Sequence, residues 1–404
     1  MKLKMFNVGF GDCFIFSDAN VNFLVDCGTI KFRKQHRIFT RFEHFVDYIA
    51  TNELDRTKKN VGLISHFHND HYGGFKKLER MGYNNIFDKL YIPYIALDQK
   101  TKRPVILELA IYIYLIFGER CMTGTLALDL LEQINKLSII TKGHNIECMY
   151  KGKKFNIGTR TFDVLWPQKL KDYSDLIIDY LIIIEEELND IEDFEKIKEK
   201  IIVNMTKWYS IIERAEQENK HDLYVLEEIE WVQRQLIDEL ENIRTDEKVK
   251  EKLERLKYED EEYTQWFKRV KVGATKIFAN SQNETSIVFQ DNDIHENCVL
   301  MTGDITVDII KYLDKNKQLY DTYYCIKVPH HGTYTHYCPE LPNGENYLIS
   351  TGEKNNRIAN QYRTHINSLT NRYCTKGRNH CESIEKYQTC FNPSCINQLV
   401  TLEI

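Results

Sequence analysis

The stretch Val61-Gly62-Leu63-Ile64-Ser65-His66-Phe67-His68-Asn69-Asp70-His71-Tyr72-Gly73-Gly74 decides how this chain is read. The apolar run Val61 to Ile64 reads as the end of a strand. Three imidazoles and a carboxylate then crowd between His66 and His71. Strand alternation lets His66 and His68 point the same way, and Asp70 and His71 follow on a turn where they can serve a second ion. Zinc takes imidazole nitrogen and carboxylate oxygen, and ligands this close in sequence cost little chain entropy to gather. Gly73 and Gly74 let the backbone pass close beneath such a site before a helix begins.

Other segments extend the pattern. The chain opens on Lys4-Met5-Phe6-Asn7-Val8-Gly9-Phe10-Gly11-Asp12-Cys13-Phe14-Ile15-Phe16 and Phe23-Leu24-Val25-Asp26-Cys27-Gly28-Thr29. Later come Asn283-Glu284-Thr285-Ser286-Ile287-Val288-Phe289, Val299-Leu300-Met301-Thr302-Gly303-Asp304 and Ile326-Lys327-Val328-Pro329-His330-His331-Gly332-Thr333. Ile349-Ser350-Thr351-Gly352, Asn355-Asn356-Arg357 and His365 close the series. In content and order these segments resemble the metallo-β-lactamase fold, and within it the hydrolase domain of ComEC-type DNA-uptake proteins and their free-standing relatives. The resemblance covers roughly half of the chain and leaves the middle unmatched. It implies an α/β protein, an αββα sandwich, here with a large helical insertion.

The resemblance also implies a metal centre. Asp304, after an apolar strand and a Thr-Gly turn, is the residue to bridge two ions. His66, His68 and Asp304 form one ligand set; Asp70, His71, Asp304 and His331 form the better-furnished one. His330 adjoins His331 and is an alternative ligand or a substrate contact. Many members of the fold add a histidine to the first set just before the strand leading to Asp304. Here that region reads Ser281-Gln282-Asn283-Glu284, without one. The expectation is therefore two divalent ions, zinc or manganese, one of them held weakly, with Asn283 a candidate contact. Two such ions about 3.5–4 Å apart activate water and stabilise charge on attacking and leaving oxygens. Carboxylate and water ligation suits manganese, and imidazole suits zinc. Asp26 is read either as a turn carboxylate or as a group that orients a metal ligand.

Composition narrows the class only modestly. At 404 residues, 42% hydrophobic and 12% aromatic, the chain can form one large domain or two ordinary ones. A net charge of -6 provides no global basic field for nucleic acid, although a local patch around metals suffices for a nuclease. Eleven cysteines without a signal peptide read as reduced thiols in the cytoplasm. No apolar stretch reaches the ~20 residues that span a bilayer, so no membrane association is expected. Ile106 to Phe117 is apolar but short, contains Glu108, and reads as a buried helix.

Four segments are expected. Residues 1–168 form the first half of the sandwich, with helices from about 100 to 140, including Thr123 to Leu137. Residues 169–272 are densely charged and carry apolar residues at helical spacing, so Leu176 to Glu187, Phe194 to Ile212 and Leu223 to Ile243 read as amphipathic helices. This insertion is a lid or clamp, a homodimerisation arm, or a cap over its own apolar face. Residues 273–370 form the second half, and 371–404 a cysteine-rich tail. There Cys374, Cys381, Cys390 and Cys395 are candidate ligands of a structural zinc, at wider spacing than usual.

Substrate contacts are expected from Lys31, Arg33 and Lys34, basic residues interleaved with Phe32, and from Asn356 and Arg357. Asp70 and His365 are the candidate catalytic residues, His365 as a general acid. The favoured activity is a metal-dependent phosphodiesterase or nuclease, with nucleic acid or another phosphodiester as its partner. A hydrolase of a cyclic nucleotide, lactone or other small ester is the alternative. A non-catalytic, metal-stabilised effector subunit acting with a partner protein is a third reading. A stand-alone nuclease of this kind suits defence against phage.

Overall fold

The computed structural model describes residues 1–32, 39–117, 122–172, 175–188, 196, 198–200, 202–203, 223–251, 272–273, 276–351, 371–375 and 399–404. It divides into two compact units. The first comprises Met1–Tyr94, Ile139–Gln168 and Asn283–Ile404; the second comprises Ile95–Ser138 and Lys169–Gln282. The excursion from the β-rich unit is thus double. Residues 95–138, read from sequence within the first half, cluster with the inserted helices.

The first unit is built on two seven-stranded sheets. Its strands are β1 (Lys2–Phe6), β2 (Cys13–Ser17), β3 (Val21–Cys27), β4 (Lys59–Leu63), β5 (Lys89–Pro93), β6 (Ile146–Met149), β7 (Lys154–Ile157) and β8 (Arg160–Trp166). The series continues with β9 (Val288–Asp291), β10 (Val299–Met301), β11 (Thr322–Lys327), β12 (Asn343–Ile349), β13 (Asn371–Cys374) and β14 (Leu399–Glu403). One sheet runs β14-β1-β2-β3-β4-β5-β6 and the other β13-β12-β11-β10-β9-β8-β7. Each is antiparallel at one end and parallel at the other. β3, β4, β5 and β6 pair in parallel, as do β10, β11, β12 and β13. Within the region read as a tail, Asn371–Cys374 and Leu399–Glu403 each become an edge strand of a sheet.

Apolar alternation explains why the sheets stack. Phe14, Phe16, Phe23 and Val25 of one sheet share a core with Phe155, Phe162, Phe289 and Met301 of the other. Phe23 stacks on Phe155 at 5.3 Å, and Phe16 meets Phe162 edge-on at 6.0 Å. Helices cover the outer faces. Helix α2 (Asn69–Arg80) packs on β3, with α1 (Phe42–Tyr48) beside it. Helix α3 (Val307–Lys315) presses Ile309, Ile310 and Leu313 onto Val288, Leu300, Ile326 and Tyr347 of the second sheet. The layering is helix, sheet, sheet, helix.

The second unit is helical, through Val105–Phe117, most of Met122–Ile140, Asp175–Leu188 and Leu223–Thr245. Val105–Phe117 is buried along its whole length, as its apolar run requires. Its Glu108 is answered by Arg103, which also meets Glu185, and Tyr112 donates to Glu185 at 2.9 Å. Most of the expected helix Phe194 to Ile212 lies outside the described residues. No helix among the described residues is long and apolar enough to cross a membrane.

Three backbone segments meet closely at one end of the sheets. Asp12 N–H donates to Asp70 O at 2.9 Å, and Gly28 N–H donates to Asp12 O at 2.9 Å. A Cβ on Gly28 would strike the backbone of Asn69, Asp70 and His71, whereas one on Gly73 would meet open space. Of the close approaches expected at Gly73 and Gly74, the one at Gly74 is present, where a Cβ would strike Cys27, and a further one falls at Gly28. Gly73 lies inside α2, which begins at Asn69 with His68 as its extended N-cap residue. His68 O accepts from His71 and Tyr72, so Asp70 and His71 ride on the first helical turn. Gly28→Ala should therefore destabilise the fold by about 1–3 kcal/mol. Gly73→Ala should stabilise it by about 0.5–1 kcal/mol through helix propensity. Thermal melts of the two variants check this, and equal melts would refute the close approach.

Candidate metal centre

The site gathers where the parallel strands end, the edge where open α/β sheets place ligands. Asp26 is the penultimate residue of β3, and Ser65, His66 and His68 follow β4. Asp304 follows β10, His330 and His331 follow β11, and Ser350 follows β12. Asp12 precedes the antiparallel β2 and so reaches the same edge. His66, His71 and His331 are fully buried, and Asp12, Asp26, Asp70 and Asp304 are at most 5% exposed.

Asp12, His71, Asp304 and His331 each offer a ligand atom, all within 4.8 Å of one another. His71 Nε2 lies 3.2 Å from Asp304 Oδ2, and His331 Nε2 lies 3.1 Å from the same oxygen and 3.3 Å from Asp70 Oδ2. Neither Nε2 is aligned in a hydrogen bond. The other face of each ring is held by a carboxylate. His71 Nδ1 meets Asp26 Oδ2 at 2.8 Å, and His331 Nδ1 meets Asp12 Oδ1 at 3.2 Å. A carboxylate behind each imidazole fixes its orientation and raises its basicity, as behind metal-bound histidines. Asp26 is itself secured by Ser65, whose N–H and Oγ–H donate to its two oxygens at 2.7 Å each.

Asp12 is therefore better read as a partner of ligands than as a ligand. Its Oδ1 faces His331 and accepts from Ser350 Oγ, and its Oδ2 pairs with Lys327 Nζ at 2.8 Å. Sequence alone assigns neither Asp12 nor Lys327 a role. Lys327 had a visible signal: a lysine inside the apolar run Cys325 to Val328 is rarely buried unless it is paired.

His66 and His68 supply the second donor set. Their ring centroids are 4.7 Å apart, and the His66 ring lies 4.1 Å from that of His71. Their Nε2 atoms are buried and have no hydrogen-bond partner. Four buried imidazole nitrogens beside two carboxylates are costly unless something fills the space between them. The donor set, nitrogen and carboxylate oxygen, suits a divalent cation.

Electrostatics divides the histidines. Burial, reinforced by neighbouring imidazoles, holds His66 well below the usual histidine range and brings His68 down to about 4. Both are neutral near pH 7. Burial also disfavours charge on His71 and His331, but carboxylates outweigh it. Asp304, Asp26 and Asp12 raise His71 to about 10, and Asp304 and Asp12 hold His331 well above its ordinary value. Burial works against the charge of Asp70, and the close approach of His331, with the charges of His71 and His68, outweighs it and holds the carboxyl below its ordinary range.

His330 stands at the margin. Its side chain is 22% exposed, and its Nδ1 is 3.8 Å from Asp304 Oδ2 and 3.4 Å from Asn283 Nδ2. It stacks on His336 at 3.7 Å, a neighbour the sequence reading passed over. His330 and His331 both have left-handed backbones, φ 47° and 57°, as does Asp26 at 54°. Half of the non-glycine residues with positive φ among those described lie here, which places backbone strain at the site.

Lys31 is exposed, and its backbone pairs with Phe10, whose ring lies 4.7 Å from that of His331. Arg33, Lys34, Asn356, Arg357, His365, Cys381, Cys390 and Cys395 lie outside the described residues. Cys374 is buried on β13. A second group, Asp291, His295 and Cys298, has metal-like spacing. Its carboxylate, however, is engaged by Arg160 at 2.8 and 2.5 Å, and that guanidinium lies 3.4 Å from His295 Nε2. A resident cation already fills it.

No protein-family profile and no curated protein matches this chain. Among solved structures it is similar to the metallo-beta-lactamase fold protein YhfI from Bacillus subtilis. The identity is 15% and the TM-score 0.23, over 41% of this chain and 52% of that one. The match thus spans about half the length of that protein.

Two outcomes are expected. His71 and His331 carry protons that a metal ion must displace from Nε2, whereas His66 and His68 carry none. Divalent-metal binding at pH 7 should release about one to two protons. Apparent affinity should rise with pH up to about 10, where His71 gives up its proton unaided. Calorimetry in buffers of different ionisation enthalpy measures this, and a buffer-independent enthalpy would refute it. His331→Ala should also weaken metal binding by about 10- to 100-fold. His330→Ala should leave metal content nearly unchanged, and the reverse order, by elemental analysis, would move the ligand by one position.

Proposed function

We propose that the protein is a metal-dependent hydrolase of the metallo-β-lactamase type, acting as a phosphodiesterase or nuclease. The observation that carries the reading is the convergence of the buried His66, His68, His71 and His331 Nε2 atoms, none aligned in a hydrogen bond, with the His71 and His331 atoms facing Asp304 and Asp70. The helix–sheet–sheet–helix layering and the site's place at the strand ends agree with it.

A divalent ion bound there would supply Lewis acidity and a water of lowered pKa. The chain's own groups do the rest. Asp26 and Asp12 turn His71 and His331 so that their Nε2 atoms face inward. Asp304 presents Oδ2 to both rings while its Oδ1 is held by Lys327. Asp70 Oδ2, beside His331, is placed to orient an attacking water. His330, held neutral mainly by burial, can hydrogen-bond a phosphoryl oxygen at the partly open margin. Lys31, joined through Phe10 to the ring packed on His331, supplies positive charge near the rim. The phosphodiester assignment draws on these polar contacts and on the ComEC-like wording of Ile326 to Thr333.

The test is to incubate manganese- or zinc-loaded protein with single-stranded DNA, duplex DNA, RNA, cyclic nucleotides and a lactone, beside Asp70→Ala. Metal-dependent cleavage of a polymer is expected, reduced at least ~100-fold in the variant. Turnover of cyclic nucleotides or lactone alone would replace the nuclease by a small-ester hydrolase. Cleavage that survives both Asp70→Ala and chelation would remove the metal-centred reading.

A further inference from the structure

Lys327 is 1% exposed at the end of β11 and lies inside the charged cluster. Its ammonium has three protons and meets three acceptors. Gly303 O is 2.6 Å away, Asp12 Oδ2 2.8 Å and Asp304 Oδ1 2.9 Å. Gly303 O and Asp304 Oδ1 take hydrogen bonds, Asp12 Oδ2 takes the charge, and at 1% exposure Lys327 is read as a positioning rather than a catalytic residue. What remains is its fixed charge, which Asp12 and Asp304 hold against the cost of burial.

The two donor sets differ in how much they depend on that charge. The set of Asp70, His71, His331 and Asp304 has two carboxylates facing it. The set of His66 and His68 brings no carboxylate of its own; the negative charge acting on it comes from Asp304 at His66 and from Asp70 and Asp304 at His68. Asp304 is already shared with Lys327, and only its Oδ2 faces the histidines.

Building on the metal-dependent reading above, we propose that Lys327 is an internal counter-cation that sets the metal stoichiometry. It takes up negative charge that would otherwise hold a second ion. One divalent ion is held tightly by Asp70, His71, His331 and Asp304, and an ion at His66 and His68 is held loosely. Lys327 acts through Asp304 and Asp12 and is a positioning residue.

Titration of the metal-free full chain with Mn2+, followed by calorimetry and native mass spectrometry, tests this. Wild type should retain one ion and bind a second about a hundredfold more weakly. Lys327→Met and Lys327→Gln should tighten the second ion by about tenfold or more, because the repelling charge is gone. Lys327→Arg, which keeps the charge, should stay near wild type. The neutral variants should also melt lower than wild type without metal and recover more of their stability on adding Mn2+, since two buried carboxylates lose their partner. A merely structural lysine would show the lower melt without the tighter second ion.

Folded neutral variants that bind the second ion no more tightly than wild type would overturn the role of Lys327. Should both neutral variants fail to fold, wild type alone decides: retention of two ions of equal affinity would overturn it. Wild type that binds no Mn2+ or Zn2+ at all would instead remove the hydrolase reading on which it rests.

Discussion

The constraint on which the structure depends is the burial of opposite charges at one sheet edge. Asp12, Asp26, Asp70 and Asp304 lie almost out of water beside Lys327, His71 and His331. Taking such groups from water is expensive, and only near-complete pairing repays the cost. Each carboxylate is accordingly committed. Asp26 is bound by Ser65 and His71, Asp12 by Ser350, His331 and Lys327, Asp70 pairs with His331, and Asp304 is held by Lys327 with two imidazoles close by. The partners come from both sheets, so the cluster ties the two halves of the sandwich together across more than three hundred positions of sequence.

That commitment explains the local geometry. Gly28 lacks a side chain because the first turn of α2 passes directly over it and brings Asp70 and His71 into reach. Asp26, His330 and His331 accept left-handed backbones because their side chains must turn into the cluster rather than continue along a strand. Strain of this kind costs on the order of 1–3 kcal/mol per residue and persists only where surrounding contacts impose it. Here the sheets behind the site impose it.

How much was legible in sequence follows from the same physics. The run from His66 to His71 is local, so its spacing alone exposes a donor cluster; Asp304 and His331 were joined to it only through the family resemblance. The layering was expected only through the resemblance to a known fold, whereas the buried helix Val105–Phe117 followed from a nearly unbroken apolar run. Asp12 and Lys327 were not legible as a pair, because their meeting depends on β2 and β11 ending at one edge of two different sheets. The stacking of His336 on His330 was hidden for a different reason: it depends on two short turns after β11 whose backbone no periodicity announces. The start of α2 was displaced because His68, a ligand candidate, also serves as the N-cap residue.

The asymmetry of the centre lies in the groups behind the histidines more than in the histidines themselves. His71 and His331 are each backed by a carboxylate at Nδ1; His66 Nδ1 meets only Ser65 Oγ, at 3.2 Å. Backing raises the basicity of an imidazole and therefore its strength as a donor, but it also makes the ring hold a proton when no metal is present. His66 and His68 pay no such proton, yet they bring no charge. Asn283, a candidate contact from sequence, has its amide beside His330. Four residues of one type thus form two unequal pairs, one charged and oriented, the other neutral and unbacked. Asp12, Asp26 and Lys327, none of which faces the shared space as a free donor, set that difference in charge and orientation.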